Sequence, residues 1–453
     1  MNKSILSLLA LGAILNSAQV FAEEQELNPA PQQLDFTQSL ELAYAHDQDL
    51  QAAEFDYQST LESRGQSKAS LLPQISASAY TSRTEEETSN SSNTAIISNG
   101  TSDYDTDGYN ISLSQSIYRH SNYKKLQQAD LTVAAANATV VAARQDLIVR
   151  LAEAYFNVLG AKDNLKFAIA EKESIDQQLE QSKKRFEVGL IAITDVKEAQ
   201  ASYDTSVAQE IEAQNILAAN LEALAVILGS YTTSIAEMKE DIPLEIPEPA
   251  DMQKWTEKAL ENNLALKAAT YTFQATQKQV DADQSEHYPY VDLNAQHSFR
   301  SPEGARITAY DSSDTVLSLE LTVPIYTGGF TSAKHRQSIA LKERARAQKV
   351  KAHRQALQNT RDAYLGVTSS IAQVKAFKQA LLSTQTAHEA TQAGFEAGTR
   401  TAIDVLTALR VVYGAERDYA RARYTYAINI LRLKQAAGIL SANDGEFINA
   451  FLQ

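Results

Sequence analysis

The chain has 453 residues, with 56 Asp and Glu against 41 Lys and Arg for a formal charge of −15, and it contains no cysteine. Without cysteine there is neither a disulfide framework nor a lipidated cysteine, so any membrane attachment has to come from the fold. The acidic balance argues against nucleic acid as a partner.

Lys3, the apolar run Ile5–Leu15 and Val20-Phe21-Ala22 predict a signal peptide over 1–22, which places the mature chain outside the cytoplasm. Beyond it no run approaches the ~20 apolar residues of a spanning helix, leaving soluble, peripheral and β-barrel readings. A first repeat is expected over 23–229: a helix, strands at about 74–87 and 108–118, a long helix at about 120–188 and a helix at about 194–229. A linker over 230–250 holds Pro243, Pro247 and Pro249. The second repeat, 251–440, has strands at about 289–300 and 314–326, a long helix at about 330–397 and a helix at about 402–440, followed by a tail over 441–453.

The repeat is visible residue by residue. Phe186, Gly189 and Asp195 of RFEVGLIAITDV return as Phe395, Gly398 and Asp404 of GFEAGTRTAIDV, each 209 positions later, while Pro73 returns as Pro289, 216 positions later. The offset changes only between the two strands of each half, where a loop absorbs a length difference cheaply. No proline lies between Gln74 and Ile242 or after Ile325, so both spans are free to be helical at great length. From Val405 a heptad runs through Ala408, Val412, Ala415, Tyr419, Ala422, Tyr426, Asn429, Leu433, Ala436 and Leu440. Alanine at alternate core positions implies closely approaching coiled helices. Leu126 to Leu147 keeps the same spacing, which restarts at Leu151 after a four-residue slip.

The intervening segments alternate. Ile111, Leu113 and Ile117 oppose Ser112, Ser114 and Ser116, and Leu317, Leu319, Leu321, Val323 and Ile325 oppose Ser318, Glu320 and Thr322. Polar loops over Thr81–Gly108 and Arg300–Asp314 join the strands of each pair. Alternation alone fits two hairpins of a soluble sheet equally well; export, tyrosines near the strand ends and polar loops on one side favour strands crossing a bilayer. Four strands cannot close a barrel and lipid does not tolerate open edges, so several chains have to share one barrel. Three chains supply 12 strands.

The doubled pattern with RFEVGLIAITDV and GTRTAIDVL resembles the TolC family of outer-membrane channels along essentially the whole mature chain. The resemblance implies a mixed fold, a membrane β-barrel continued by an all-α coiled-coil tunnel, built as a homotrimer sharing one 12-stranded barrel, four strands per chain, in outer-membrane lipid. It also implies a tunnel closed at its periplasmic end and opened when an inner-membrane pump of the RND, ABC or MFS type engages through a periplasmic adaptor. Linker and tail would form a belt partway down the tunnel.

Gly189 and Gly398 interrupt heptads that restart beyond them, as a tight helix–turn–helix requires. By resemblance, Val188, Gly189, Leu190, Gly398 and Thr399 are the tips on which adaptor hairpins dock. Asp195 and Asp404 begin the returning helices, where a carboxylate favours the N-terminus, and helix capping is their ordinary role. The family pattern adds a constriction: Asp404 in a ring of three carboxylates, and Arg400 with Asp195 linking neighbouring helices. Thr407 stands where the family usually has a second aspartate, and Phe395 where it has a tyrosine. A weaker ring and a looser closure are therefore expected.

His287, His297, His335, His353 and His388 show no metal-ligand spacing, and no phosphate loop, nucleophile elbow or redox pair occurs. No enzyme, cofactor or metal is expected. A non-channel periplasmic adaptor or spacer would explain the heptads but leave the four strands without purpose.

Overall fold

In the computed structural model, which describes residues 33–88, 100–303 and 310–452, the two halves of the chain build the same series of elements. The expected signal peptide lies outside the described residues. The first half comprises α1 (Phe36–His46), α2 (Gln48–Ala69), β1 (Gln74–Thr88), β2 (Gly100–Tyr118), α3 (His120–Glu187) and α4 (Ile193–Leu228). The second comprises α5 (Met252–Asn262), α6 (Leu264–Ser285), β3 (Tyr290–Glu303), β4 (Ser312–Thr322), α7 (Phe330–Glu396) and α8 (Ala402–Ala436), with a short α9 (Asp444–Asn449) in the tail. Both ends of α5 and of α6 stand 216 positions after those of α1 and α2. The same chemistry starts them: Asp35 and Asp251 cap α1 and α5, and Asp47 and Asn263 cap α2 and α6, each side chain accepting from a first-turn amide.

The sheet is four antiparallel strands in the order β1-β2-β3-β4. Its register sorts the side chains into two faces. Ile75, Leu113, Ala295 and Leu317 stand in one row, and the paired Leu293 and Leu319 and the paired Val291 and Leu321 fall on the same side. Gln74, Ser114, Asn294 and Ser318 form a row on the other. Leu317, Leu319 and Leu321 are all about two-thirds exposed or more, and Tyr109 stacks on Phe299 at 5.5 Å on that apolar side. A one-residue slip would mix the apolar and polar faces, so their strict alternation specifies the register.

Two strand limits differ from expectation. β1 ends at Thr88, as expected, but β2 begins at Gly100 rather than near 108, so its ladder with β1 runs through much of the expected loop Thr81–Gly108. Main-chain pairing does not require apolar side chains, and a polar extension such as Arg83 with Asp103, 3.8 Å apart, suits strands standing clear of lipid. β4 stops at Thr322 rather than near Tyr326, because Pro324 has no amide to donate and restricts Val323 before it.

At 68 residues, α3 is roughly 100 Å long. Every heptad position named above on α3 and α8 is buried or half-buried. α8 ends at Ala436, four residues short of expectation, where Gly438 turns at φ +72°. By length and composition alone, α4 is long and apolar enough to cross a membrane. The sequence shows why no apolar run announced it: Glu212 and Glu222 interrupt the Ile, Leu and Ala positions.

The hydrophobic core lies at the waist, where Leu151, Tyr155 and Phe156 of α3, Leu224 of α4, Tyr426 and Leu431 of α8, the linker's Ile235 and Met238, and the tail's Phe451 and Leu452 converge. Tyr155 Oη lies 3.0 Å from the carbonyls of both Leu34 and Ala236, binding the linker to α3. Tyr419, Arg423 and Tyr426, on one stripe of α8, hydrogen-bond main-chain groups of Lys239, Glu240 and Glu245 and hold the linker against the helices.

Candidate functional site at the helical tips

α3–α4 and α7–α8 are two helical hairpins whose turns are superimposable in chemistry. Gly189 and Gly398 both sit at φ +76°, where a side chain is disfavoured, and both face open space. Gly189 N–H donates to Phe186 and Leu190 N–H to Arg185; Gly398 N–H donates to Phe395 and Thr399 N–H to Gly394. These paired bonds close each helix C-terminus in a Schellman turn. Val188 and Leu190 are 70% and 73% exposed, apolar side chains held out at the first turn. Gly398 and Thr399 are exposed at the second.

The two returning helices start differently. Thr401 and Asp404 form a complete capping box: Thr401 N–H and Oγ1 both donate to Asp404 Oδ2, at 2.9 and 3.0 Å, and Asp404 N–H donates to Thr401 Oγ1. The two Thr401 hydrogen bonds, with a smaller pull from Arg400, hold the Asp404 carboxyl below its ordinary range. Ala192 has no oxygen to offer the first hairpin, so only the return bond exists there, Ala192 N–H to Asp195 at 3.4 Å. Within the protomer, among the described residues, Arg400 forms no ion pair with Asp195. Its stem instead lies over Gly394, with Cγ 2.9 Å from where a β-carbon would stand. Thr407 is exposed on α8.

Phe395 packs at the ends of the two hairpins. It is buried, and the guanidinium of Arg185 at the end of α3 covers its ring at 4.2 Å. A cation over an aromatic face is worth about 0.5–2 kcal/mol, and here it joins the two hairpins of one protomer. Neither partner's sequence context announces this contact, because the two residues meet only when the repeats pack.

Above the tips α3 and α8 share a polar seam that sequence reasoning missed. Glu171, 4% exposed, lies 3.6 Å from Arg410 and 3.7 Å from Arg417. Ser174 meets Tyr413 at 3.2 Å, and Tyr424 Oη donates to Asp163. The seven-residue spacing of Arg410 and Arg417 places both on one face of α8, the only signal in the sequence. Burial pushes the Asp163 carboxyl above its ordinary range, outweighing the downward pull of the Tyr424 bond and Arg423. A raised folded value gives stability that is full below the unfolded pKa of about 3.9 and lost as pH rises through the folded one. Asp163→Asn, which mimics the protonated acid, should therefore raise the thermal midpoint at neutral pH, and circular-dichroism melts should show that gain vanish on acidification.

Among the described residues no His, Asp and Glu cluster is arranged to hold a metal. Residues 39–230 and 255–439 match the model of the outer membrane efflux protein family, one segment for each repeat. The chain is 35% identical to the outer membrane protein TolC of Vibrio cholerae over 85% of its length and 86% of that protein, and 34% identical to TolC of Escherichia coli over 87% and 80%. At 27% identity it is also similar to the alkaline protease secretion protein AprF of Pseudomonas aeruginosa, over 90% and 85%. The fold matches the crystal structures of the outer membrane protein VceC of Vibrio cholerae (TM-score 0.74, 21% identity, 89% and 96% covered) and the CmeC outer membrane channel of Campylobacter jejuni (TM-score 0.76, 19%, 92% and 90%). With both repeats matched and the same doubled architecture, the chain belongs to the outer membrane efflux protein family, the transport channels of the Gram-negative outer membrane, and is not an enzyme.

Proposed function

We propose that three copies of the chain form an exit duct for efflux or secretion, closed at the helical tips and opened when a periplasmic adaptor, bringing an inner-membrane pump, engages those tips. The observation that carries this is the pair of equivalent turns at Gly189 and Gly398, at the ends of helices roughly 100 Å long whose other ends enter the sheet. Six such turns in a trimer surround one mouth, with Val188 and Leu190 offering apolar contact and Gly398 and Thr399 allowing close approach of a partner backbone. Arg400 and Asp195, which form no ion pair with each other inside the protomer among the described residues, link neighbouring protomers in the closed mouth on this reading; Phe395, covered by Arg185, stiffens the hairpins of one protomer. Energy comes from the pump.

Asp404 supplies one carboxylate ring at the mouth, and Thr407 supplies none one turn further on. Such a ring favours cations. Asp404→Asn keeps an acceptor for the cap and removes the charge. Reversal potentials in planar bilayers should then fall towards non-selectivity, while unchanged selectivity would assign the cation preference elsewhere. Trimers in the outer-membrane fraction, together with single-channel conductance, test the duct itself. A spacer protein would yield neither.

A further inference from the structure

α8 shows which side of the helical wall looks into the duct. Tyr419, Arg423 and Tyr426 hold the linker against one side of this helix, and Val405, Val412 and Ala422 are buried at heptad positions. The side facing away from the linker carries Asp404, Thr407, Val411, Gly414, Asp418 and Arg421, spaced by alternating steps of three and four residues that stay on one face of a coiled helix. Thr407, Val411, Asp418 and Arg421 are exposed there. A linker lying inside a duct would obstruct it, so the clear side is the inner one.

The 209-residue repeat carries this stripe over to α4. Asp404 becomes Asp195, Thr407 becomes Glu198, Val411 becomes Ser202, and Gly414 becomes Thr205. The faces agree: Ala199, Ser206 and Ala213 are buried at heptad spacing, and Glu198, Thr205 and Glu212, each standing just before one of them, are exposed. The two hairpins therefore match in geometry and differ in charge. One turn inside Asp404 and Asp195, α8 offers a neutral threonine and α4 a carboxylate.

The other acids of the first hairpin have partners. Glu180 is held by Lys183 at 2.7 Å, Glu210 by Lys172 at 2.6 Å, and Asp195 accepts from Ala192 N–H at 3.4 Å. Glu198, among the described residues, enters no ion pair and no side-chain hydrogen bond, so its field is spent on the space beside it rather than on its own fold. It stands about 5 Å along the axis from the level of Asp404. The next two positions inward are uncharged on both stripes, Val411 and Gly414 on α8 and Ser202 and Thr205 on α4, which concentrates the negative charge at the mouth. We propose that Glu198, one from each chain, is a selectivity-determining residue of the duct, a second charged tier behind Asp404 that the first hairpin supplies where Thr407 supplies none. The proposal rests on the ring of three chains and names a further source of its ion preference. In a narrow passage with low-dielectric walls, two like tiers act together, concentrating cations and repelling anions more than either alone.

Reversal potentials across planar bilayers under a potassium chloride gradient test it. Glu198→Gln should lower the cation-to-anion permeability ratio roughly two- to fivefold, the factor that a unit charge a few ångströms from a passing ion exerts in salt-screened water. Its trimer yield should match the wild type, because the side chain is exposed and unpaired among the described residues. Glu198→Gln with Asp404→Asn should bring the ratio close to unity. Glu198→Gln with Thr407→Glu, which moves the charge to the equivalent position of the other hairpin, should restore it. A ratio that Glu198→Gln leaves unchanged, or that the relocated charge fails to restore, would overturn the assignment and leave the duct standing. Raised conductance at an unchanged ratio would overturn it too, making Glu198 a tether of the closed mouth. A wild-type chain that yields no channel would overturn the duct reading itself.

Discussion

Replacing Arg400 by serine should raise the conductance of the reconstituted trimer at low voltage. Its guanidinium is exposed, forms no ion pair within the protomer among the described residues, and projects from the turn that follows Gly398. The partner proposed for it on a neighbouring protomer is Asp195, which makes only a single 3.4 Å bond to its own helix start. One exposed pair is worth ~0–1 kcal/mol, so three in a ring stabilise the closed mouth by at most about 3 kcal/mol. At about 1.4 kcal/mol per tenfold, that shifts the closed-to-open ratio by up to roughly 150-fold, and several-fold is the central expectation. Single-channel recording of Arg400→Ser and Asp195→Ala, separately and together, provides the check. If the pair forms, the double variant should exceed neither single variant; an unchanged conductance in Arg400→Ser would remove Arg400 from the gate.

How far the sequence reaches depends on the range of the contact. The helices follow from heptad spacing and missing prolines, and the sheet register follows from strict alternation, since both are properties of neighbouring residues. The tips were legible because Gly189 and Gly398 recur in the same context, and positive φ is a local demand. The Arg185–Phe395 contact was not, because it joins the ends of α3 and α7 and depends on how the repeats lean together. The clasp on Glu171 was half-legible: Arg410 and Arg417 mark a face of α8, but nothing near them names the acid. The polar upper part of β2 was hidden for the opposite reason, since its Ser, Thr and Asp residues read locally as loop while the ladder with β1 continues through them.

Glycine-to-alanine changes at the two ends of α8 should separate local strain from packing. Gly398 and Gly438 have nearly the same backbone, φ +76° and +72°, so alanine pays a similar conformational cost of about 1–2 kcal/mol at each. At Gly398 nothing lies within 4 Å of the new carbon, and the cost ends there. At Gly438 the new carbon would meet the main chain of Asn262, with its carbonyl carbon at 2.5 Å, and the amide nitrogen of Asn263 at 2.8 Å. That backbone cannot withdraw cheaply: Asn263 caps α6 and its side chain donates to Ala436 at 3.0 Å, so α5, α6 and α8 would have to part together. Overpacking of this kind adds about 1–3 kcal/mol, for a total of roughly 2–5 kcal/mol per chain and three times that per trimer. Gly438→Ala should therefore accumulate little heat-stable trimer in the outer membrane, whereas Gly398→Ala should assemble normally. The first repeat supplies an internal control, since Gly229 stands against His46 as Gly438 stands against Asn262, with the His46 β-carbon at 2.6 Å. There a side chain is the obstacle, so His46→Gly, which removes that β-carbon, should relieve Gly229→Ala in part, while no side-chain truncation at Asn262 should rescue Gly438→Ala. Equal melting of Gly398→Ala and Gly438→Ala would show that the positive φ alone sets the cost and that the waist yields to the added carbon.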